Sequence, residues 1–315
     1  MTPVPHNPDD RGAGVPPADA RDLDTAPAQA LRLKHFSTPL SVDVHCHCLP
    51  GLDDGPATLA DAVALCEVLV ADGFTHVVAT PHQLGRYDGR NEPDQVRAAA
   101  MELRSALAER AIPLHVDIGA DVRIDERLVP MFRKGQVLSV ADNRRYLLLE
   151  LPHEVFLDPR RVISDLRREG VTTILTHPER HPHLQRHPEA MLPWIEMGTV
   201  VQLTAGSVIG DFGATAQRVA WQMLQRGWVS IIATDAHDTV RRPPRMTAAA
   251  DAIGKQFSHA VARRLCVENP ARVLKGEPIV SFATRTVANP VAAPKGALGF
   301  AGLRPRQPRP AGGVR

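Results

Sequence analysis

The chain has 315 residues, 43% of them hydrophobic, enough for one large α/β domain or two small ones. A formal charge of +2 argues against a phosphate-backbone binder, and aromatics at 4% argue against a stacking platform for single-stranded nucleic acid. No apolar run reaches the length of a membrane span and no secretion signal precedes the first strand pattern, so a cytoplasmic protein with four reduced cysteines is expected.

Residues 1–38 are rich in Pro, Asp and Ala without periodicity and read as a disordered extension to a folded domain over 39–283. Val42 and Val44 alternate with Asp43 and His45, a short strand pattern. Residues two apart on a strand share a face, so His45 and His47 sit side by side where it runs into a loop holding Asp53, Asp54 and Gly55. Cys46 and Cys48 point the other way and are expected to be packed. Apolar spacing predicts a helix over 58–71, stopped by Gly73, before a strand over 75–80 that ends at Pro81-His82. A second helix is predicted over 94–110, and a strand over 115–118 runs into Gly119, Ala120 and Asp121. The strand at 146–149 ends in Glu150, and a helix follows over 159–169. The strand at 172–175 ends at Thr176-His177-Pro178-Glu179-Arg180, with a helix predicted over 187–197. A strand at 199–203 carries no ligand and leads to a helix over 213–225. The last strand, 229–233, ends at Thr234-Asp235-Ala236-His237. Residues 284–315 form a basic Pro/Arg-rich tail, expected to be flexible: either a docking segment for an acidic partner or membrane surface, or a solvated end.

About seven strands alternating with helices imply parallel pairing through right-handed crossovers, in a closed or nearly closed barrel. Chemistry in such barrels collects at the C-terminal strand ends, where His45, His47, Asp54, His82, Asp121, Glu150, His177, Asp235 and His237 all fall. Imidazoles and carboxylates without thiolate suit manganese, iron or zinc.

In these motifs the chain resembles the PHP (polymerase and histidinol phosphatase) superfamily. Within it, the chain is similar to the manganese-dependent protein-tyrosine phosphatases of bacterial capsule and exopolysaccharide loci. The resemblance covers roughly residues 41–277, from His45-Cys46-His47 and its Asp-Asp-Gly-Pro continuation to Arg242-Pro243-Pro244. It implies a distorted seven-stranded (β/α)7 TIM-like barrel and up to three Mn2+ ions. One ion would take His45, His47 and Asp235 and share Asp121 with a second, held also by Glu150 and His177; the third would take Asp54, His82 and His237. Arg180 and Arg242 match positions that grip the substrate phosphate, and Asp54 or His237 would serve as general acid. The implied substrate is the phosphotyrosine-bearing tail of an autophosphorylating bacterial tyrosine kinase, with a homo-oligomer left open. The resemblance places Glu where this chain has Asp121, whose shorter arm must still reach two ions.

Alternatives are another phosphoesterase of the superfamily, acting on histidinol phosphate or a phosphodiester, and a non-catalytic phosphotyrosine-binding regulator. Cys266 and Arg272 have the Cys-x5-Arg spacing of thiol phosphatases, but Pro270 and the lack of glycine argue against a phosphate loop. Asn269-Pro270 reads instead as a helix start with Asn269 as N-cap.

Overall fold

The computed structural model describes residues 40–280; the two tails read from the sequence lie outside them. The strands are β1 (Val42–Cys46), β2 (His76–Ala79), β3 (His82–Gln83), β4 (His115–Ile118), β5 (Asp121–Arg123), β6 (Tyr146–Glu150), β7 (Thr172–Thr176), β8 (Val200–Thr204) and β9 (Ile231–Ala233). They form a three-stranded sheet, β1-β2-β4, and a six-stranded sheet, β3-β5-β6-β7-β8-β9, with every pairing parallel. Nine strands therefore stand where seven apolar patterns were read, because two patterns are each interrupted. Thr80-Pro81 separates β2 from β3, and proline has no N–H for a ladder. Gly119-Ala120 separates β4 from β5, at a point where a Cβ on Gly119 would lie 3.1 Å from Val78 Cγ1 and 3.2 Å from the Ser139 carbonyl.

Backbone bonds cross both interruptions: Gly119 N–H donates to the Ala79 carbonyl (2.8 Å) and Asp121 N–H to that of Pro81 (3.2 Å). The segment after β9 also pairs with β1, through Asp235 N–H to the His45 carbonyl (2.8 Å) and His47 N–H to that of Ala236 (2.9 Å). These bonds bring the first and last ligand-bearing segments side by side.

The helices are α1 (Leu59–Asp72), α2 (Pro93–Glu109), α3 (Leu128–Arg133), α4 (Arg160–Arg168), α5 (Pro182–Arg186), α6 (Leu192–Glu196), α7 (Ala205–Ile209), α8 (Gly213–Gln225), α9 (Met246–Gln256), α10 (His259–Arg263) and α11 (Asn269–Leu274). Helix α1 starts in a capping box between Thr58 and Asp61 and stops at Gly73, whose φ of 105° is left-handed. Helix α8 has the span its periodicity predicts. The single helix expected over 187–197 is instead a 3-10 turn, Pro188–Met191, followed by α6. Pro193 accounts for the split, since it has no N–H to donate to a continuous ladder from the preceding turn, whereas Pro188 only opens that turn.

Asn269 is not an N-cap. It continues a π turn, Arg264–Glu268, and its amide donates to the Ser230 and Val280 carbonyls while its oxygen accepts from Val280 N–H. Cys266 is fully buried, and burial pushes its thiol far above the ordinary range, so no thiolate chemistry is at hand there.

Strand alternation sorts the core into two clusters. Leu147, Leu149, Leu175 and Leu203 pack with helix residues such as Leu69, Leu103, Ile163 and Met223. Val42, Val44, Val78, Leu148, Ile174 and Ile231 form the second cluster, joined by Val273 of α11.

Candidate metal centre

All nine carboxylate and imidazole residues singled out from the sequence converge at the C-terminal strand ends. His45 and His47 are completely buried. His47 Nδ1 lies 2.6 Å from Asp53 Oδ2, an atom that can only accept while ionised, so Nδ1 carries the proton. Burial disfavours the charge of Asp53, yet the attraction and hydrogen bond of His47 hold its carboxyl well below the ordinary range and thus ionised. His45 Nδ1 is 2.9 Å from Gln202 Oε1, which sets the same tautomer. Both Nε2 atoms are then lone pairs, and they face each other at 3.2 Å. Burial holds His47 well below its ordinary pKa and His45 at about 4, against the attraction of Asp235, so neither is protonated at neutral pH. Two facing lone pairs in a buried site repel unless a cation lies between their neighbours. Donor chemistry therefore fits a metal.

The acids complete the nest. Asp121 is buried, and its Oδ2 lies 3.6 Å from His45 Nε2, 3.5 Å from His82 Nδ1 and 3.7 Å from His177 Nε2. That oxygen has no hydrogen-bond partner, while Oδ1 accepts from the Thr176 hydroxyl at 3.2 Å. Burial, reinforced by Glu150, drives the Asp121 carboxyl well above its usual range, as expected for an acid whose compensating charge is a bound cation. Glu150 places Oε2 3.8 Å from His82 Nδ1 and Oε1 3.9 Å from His177 Nε2. Asp54, 38% exposed, sets Oδ1 3.4 Å from His82 Nε2 and 3.5 Å from His237 Nε2. His237 Nδ1 is 2.9 Å from the Asp235 carbonyl, leaving Nε2 toward Asp54 and otherwise without a hydrogen bond. His82 is raised to about 9: burial opposes its charge, but Asp54, Asp121 and Glu150 outweigh burial.

Donor atoms group within ion-binding distance as His45, His47 and Asp121; as His45, His177 and Asp235; as His82, Asp121 and Glu150; and as His47, Asp54, His82 and His237. The last set is the trio expected for one ion, extended by His47. His82 also reaches the acids expected to serve a different ion.

Asp235 Oδ1 faces His45 Nε2 at 3.4 Å and His47 Nε2 at 3.5 Å. Its Oδ2 accepts from both Arg180 and Arg242 at 2.6 Å. Burial disfavours its charge, yet the two guanidiniums hold its carboxyl well below the usual range. Asp235 (φ 52°) and His177 (φ 34°) both take left-handed backbone, uncommon for residues with a Cβ and frequent at functional sites.

A cleft of about 270 Å³ opens over this nest, lined by Asp54, His82, Glu150, His177, Arg180 and Arg242 among others. The loop after β3 and the strand β5 add residues with no role readable from the sequence. Tyr87 lies nearly parallel to the His82 ring at 5.4 Å, Arg86 pairs with Asp54 at 3.0 Å, and Arg123 pairs with Glu150 at 3.3 Å. Two supporting residues were also missed. Asp53 stands beside Asp54 in the loop, and its six-residue spacing from His47 gives no periodic signal. Gln202 lies on the one strand read as carrying nothing, and only the fold brings it 157 residues back to His45.

A family model described as "Capsular polysaccharide synthesis, CpsB/CapC" matches residues 41–275. The chain belongs to the CpsB/CapC family. It is 32% identical over 240 residues to the tyrosine-protein phosphatase YwqE of Bacillus subtilis, covering 76% of this chain and 93% of YwqE. It is 26% identical over 241 residues to the tyrosine-protein phosphatase CpsB of Streptococcus pneumoniae, covering 74% and 98% respectively. A solved structure described under YwqE and CpsB as "unique metal-dependent tyrosine phosphatases" superposes with a TM-score of 0.73 at 31% identity, over 76% of this chain and 96% of that one. The family match begins just before the strand carrying His45 and ends just after α11, so it spans every candidate ligand.

Proposed function

We propose that this CpsB/CapC protein is a metal-dependent protein-tyrosine phosphatase, built within residues 39–283 as a distorted (β/α)7 barrel in which β2 with β3, and β4 with β5, each count as one interrupted stave. The observation that carries the reading is the pair of His45 and His47 Nε2 lone pairs facing each other at 3.2 Å, ringed by carboxylates and flanked by Arg180 and Arg242. Manganese is the proposed metal, held by His45, His47, Asp54, His82, Asp121, Glu150, His177, Asp235 and His237, with iron or zinc as substitutes. When bound, such ions supply Lewis acidity that polarises phosphoryl oxygens and activates a water.

The chain's own residues do the rest. Arg180 and Arg242 line the cleft, each held by Asp235, and their guanidiniums are proposed to meet phosphoryl oxygens there. Either Asp54 or His237, 3.5 Å apart, is the proposed general acid to the leaving oxygen, whichever of the two is released from the metal. Tyrosinate, with a free pKa near ~10, leaves readily, so charge neutralisation outweighs protonation. The proposed substrate is the phosphotyrosine tail of a bacterial kinase controlling polysaccharide export, met in the cytoplasm. Among the described residues, no helix is long and apolar enough to cross a membrane.

The test strips metal from the full chain and assays phosphotyrosine peptide, histidinol phosphate and a phosphodiester with Mn2+ restored. Metal-dependent release from phosphotyrosine peptide is expected. Turnover of histidinol phosphate or the diester alone would move the protein to another branch of the superfamily. Tight phosphopeptide binding without turnover would make it a regulator.

A further inference from the structure

Glu150 turns its two carboxylate oxygens toward different neighbours. Oε2 faces His82 and Arg123, at 3.8 and 3.3 Å. Oε1 faces His177 Nε2 at 3.9 Å and His153 Nε2 at 4.0 Å. The rings of His153 and His177 lie 6.0 Å apart and only 11° from parallel, so their Nε2 atoms flank the same oxygen. All three donor atoms fall within 4.8 Å of one another. A point equidistant from three atoms so spaced lies roughly 2.2–2.5 Å from each, against the ~2.0–2.2 Å of metal–nitrogen and metal–carboxylate bonds.

We propose that His153 is an additional metal ligand, completing the coordination of the ion held by Asp121, Glu150 and His177. This extends the metal-centre reading above and rests on it. His153 side-chain exposure of 42% places it at the cleft surface, where it caps the nest from the solvent side. Its position is held from behind: the carbonyl of the preceding Pro152 lies 2.8 Å from His181 Nε2, and His181 is buried. The bond between Pro152 and His181 thus aims His153 inward from a loop that otherwise exposes Val155 and Leu157. The shared Asp121, Glu150 and the buried His177 all approach this ion from within, which leaves its cleft side without a donor from them. His153 is the described residue standing there.

The experiment is metal titration of the stripped full-length protein, by calorimetry with Mn2+ and by the visible absorption of bound Co2+. His153→Ala is expected to weaken the last-bound equivalent by about tenfold or more, leaving the tighter equivalents and the far-ultraviolet dichroism unchanged. It should also shift the Co2+ spectrum of that equivalent alone. His153→Asp, which keeps a ligand atom, should recover most of the loss. Isotherms and spectra that superpose on wild type would overturn the proposal. A changed phosphopeptide KM without any change in metal binding would overturn it as well, assigning His153 to substrate. A wild-type protein that takes up no metal would instead overturn the underlying metal-centre reading.

Discussion

Asp53 offers the sharpest test of how the centre is held. Its Oδ2 accepts from His47 Nδ1 at 2.6 Å and from His82 N–H at 3.0 Å, while Oδ1 accepts from Gly55 N–H at 2.9 Å. Asparagine has one acceptor oxygen, so in Asp53→Asn the NH2 must face either Gly55 N–H or the paired donors of His47 and His82. Either choice sets donor against donor. The first leaves the Gly55–Pro56 turn unsupported; the second releases the His47 tautomer and turns its Nε2 away from the nest. Removing such a carboxylate behind a ligating histidine costs 10–100-fold in metal affinity, about 1.4–2.8 kcal/mol. The upper half of that range is expected, because the same side chain also fixes the backbone of His82. Competition with a fluorescent chelator measures the change, and thermal melts of the metal-free protein check that the fold survives. Mn2+ affinity within twofold of wild type would refute the claim that Asp53 orients His47.

Three other outcomes follow from the same geometry. Phe74, 2% exposed beneath the end of α1, should cost about 3–5 kcal/mol on truncation to alanine, read by urea denaturation; a loss under ~1 kcal/mol would contradict its place in the core. His45 is held by burial, against Asp235, at about 4 instead of 6.5, so in metal-free protein its neutral form stabilises the fold fully above pH 6.5, and that contribution is lost as pH falls through 4. Chemical denaturation of the stripped protein from pH 7 to 4 should show this decline, and His45→Gln should flatten it. Asp121→Glu adds a methylene at a fully buried position and should destabilise the metal-free protein by about 1–3 kcal/mol, yet bind Mn2+ as tightly as wild type or more so. Loss of a metal equivalent on that change would show the site has adapted to the shorter acid.

Apart from Asp54, which lies in the loop beyond β1 and is singled out by the resemblance, the ligands are legible because they sit at or just beyond the ends of apolar runs, where alternation switches to Pro, Gly or Asp. His45 and His47 needed only the period of two; Glu150 stood out as an acid closing an apolar run. Legibility failed where a residue's role depends on a partner far along the chain. Gln202 resembles any polar strand residue until β8 brings it beside His45, and Asn269 resembles an N-cap until its amide reaches Ser230 and Val280. Strand count failed for a local reason: Pro81 and Gly119 break the ladders without breaking the apolar runs that periodicity reads. Tyr87 and Arg86 were invisible because a loop is not periodic, and their place over His82 and Asp54 is decided by left-handed turns at Leu84, Gly85 and Gly89.

Asp235 ties these pieces into one device. A carboxylate that served only the imidazoles would leave Arg180 and Arg242 free to point elsewhere, and one that served only the arginines would leave the His45 and His47 lone pairs without an adjacent acid. Asp235 divides its oxygens between the two tasks, Oδ1 toward the histidines and Oδ2 toward both guanidiniums. Its left-handed backbone keeps that orientation, and its peptide carbonyl fixes His237 Nδ1 as well. One residue therefore touches two of the imidazoles proposed to hold metal, both arginines proposed to grip phosphate, and His237. Asp43 in turn bonds to the hydroxyl and N–H of Thr234, next to Asp235, and so anchors that residue to β1, the strand that carries His45.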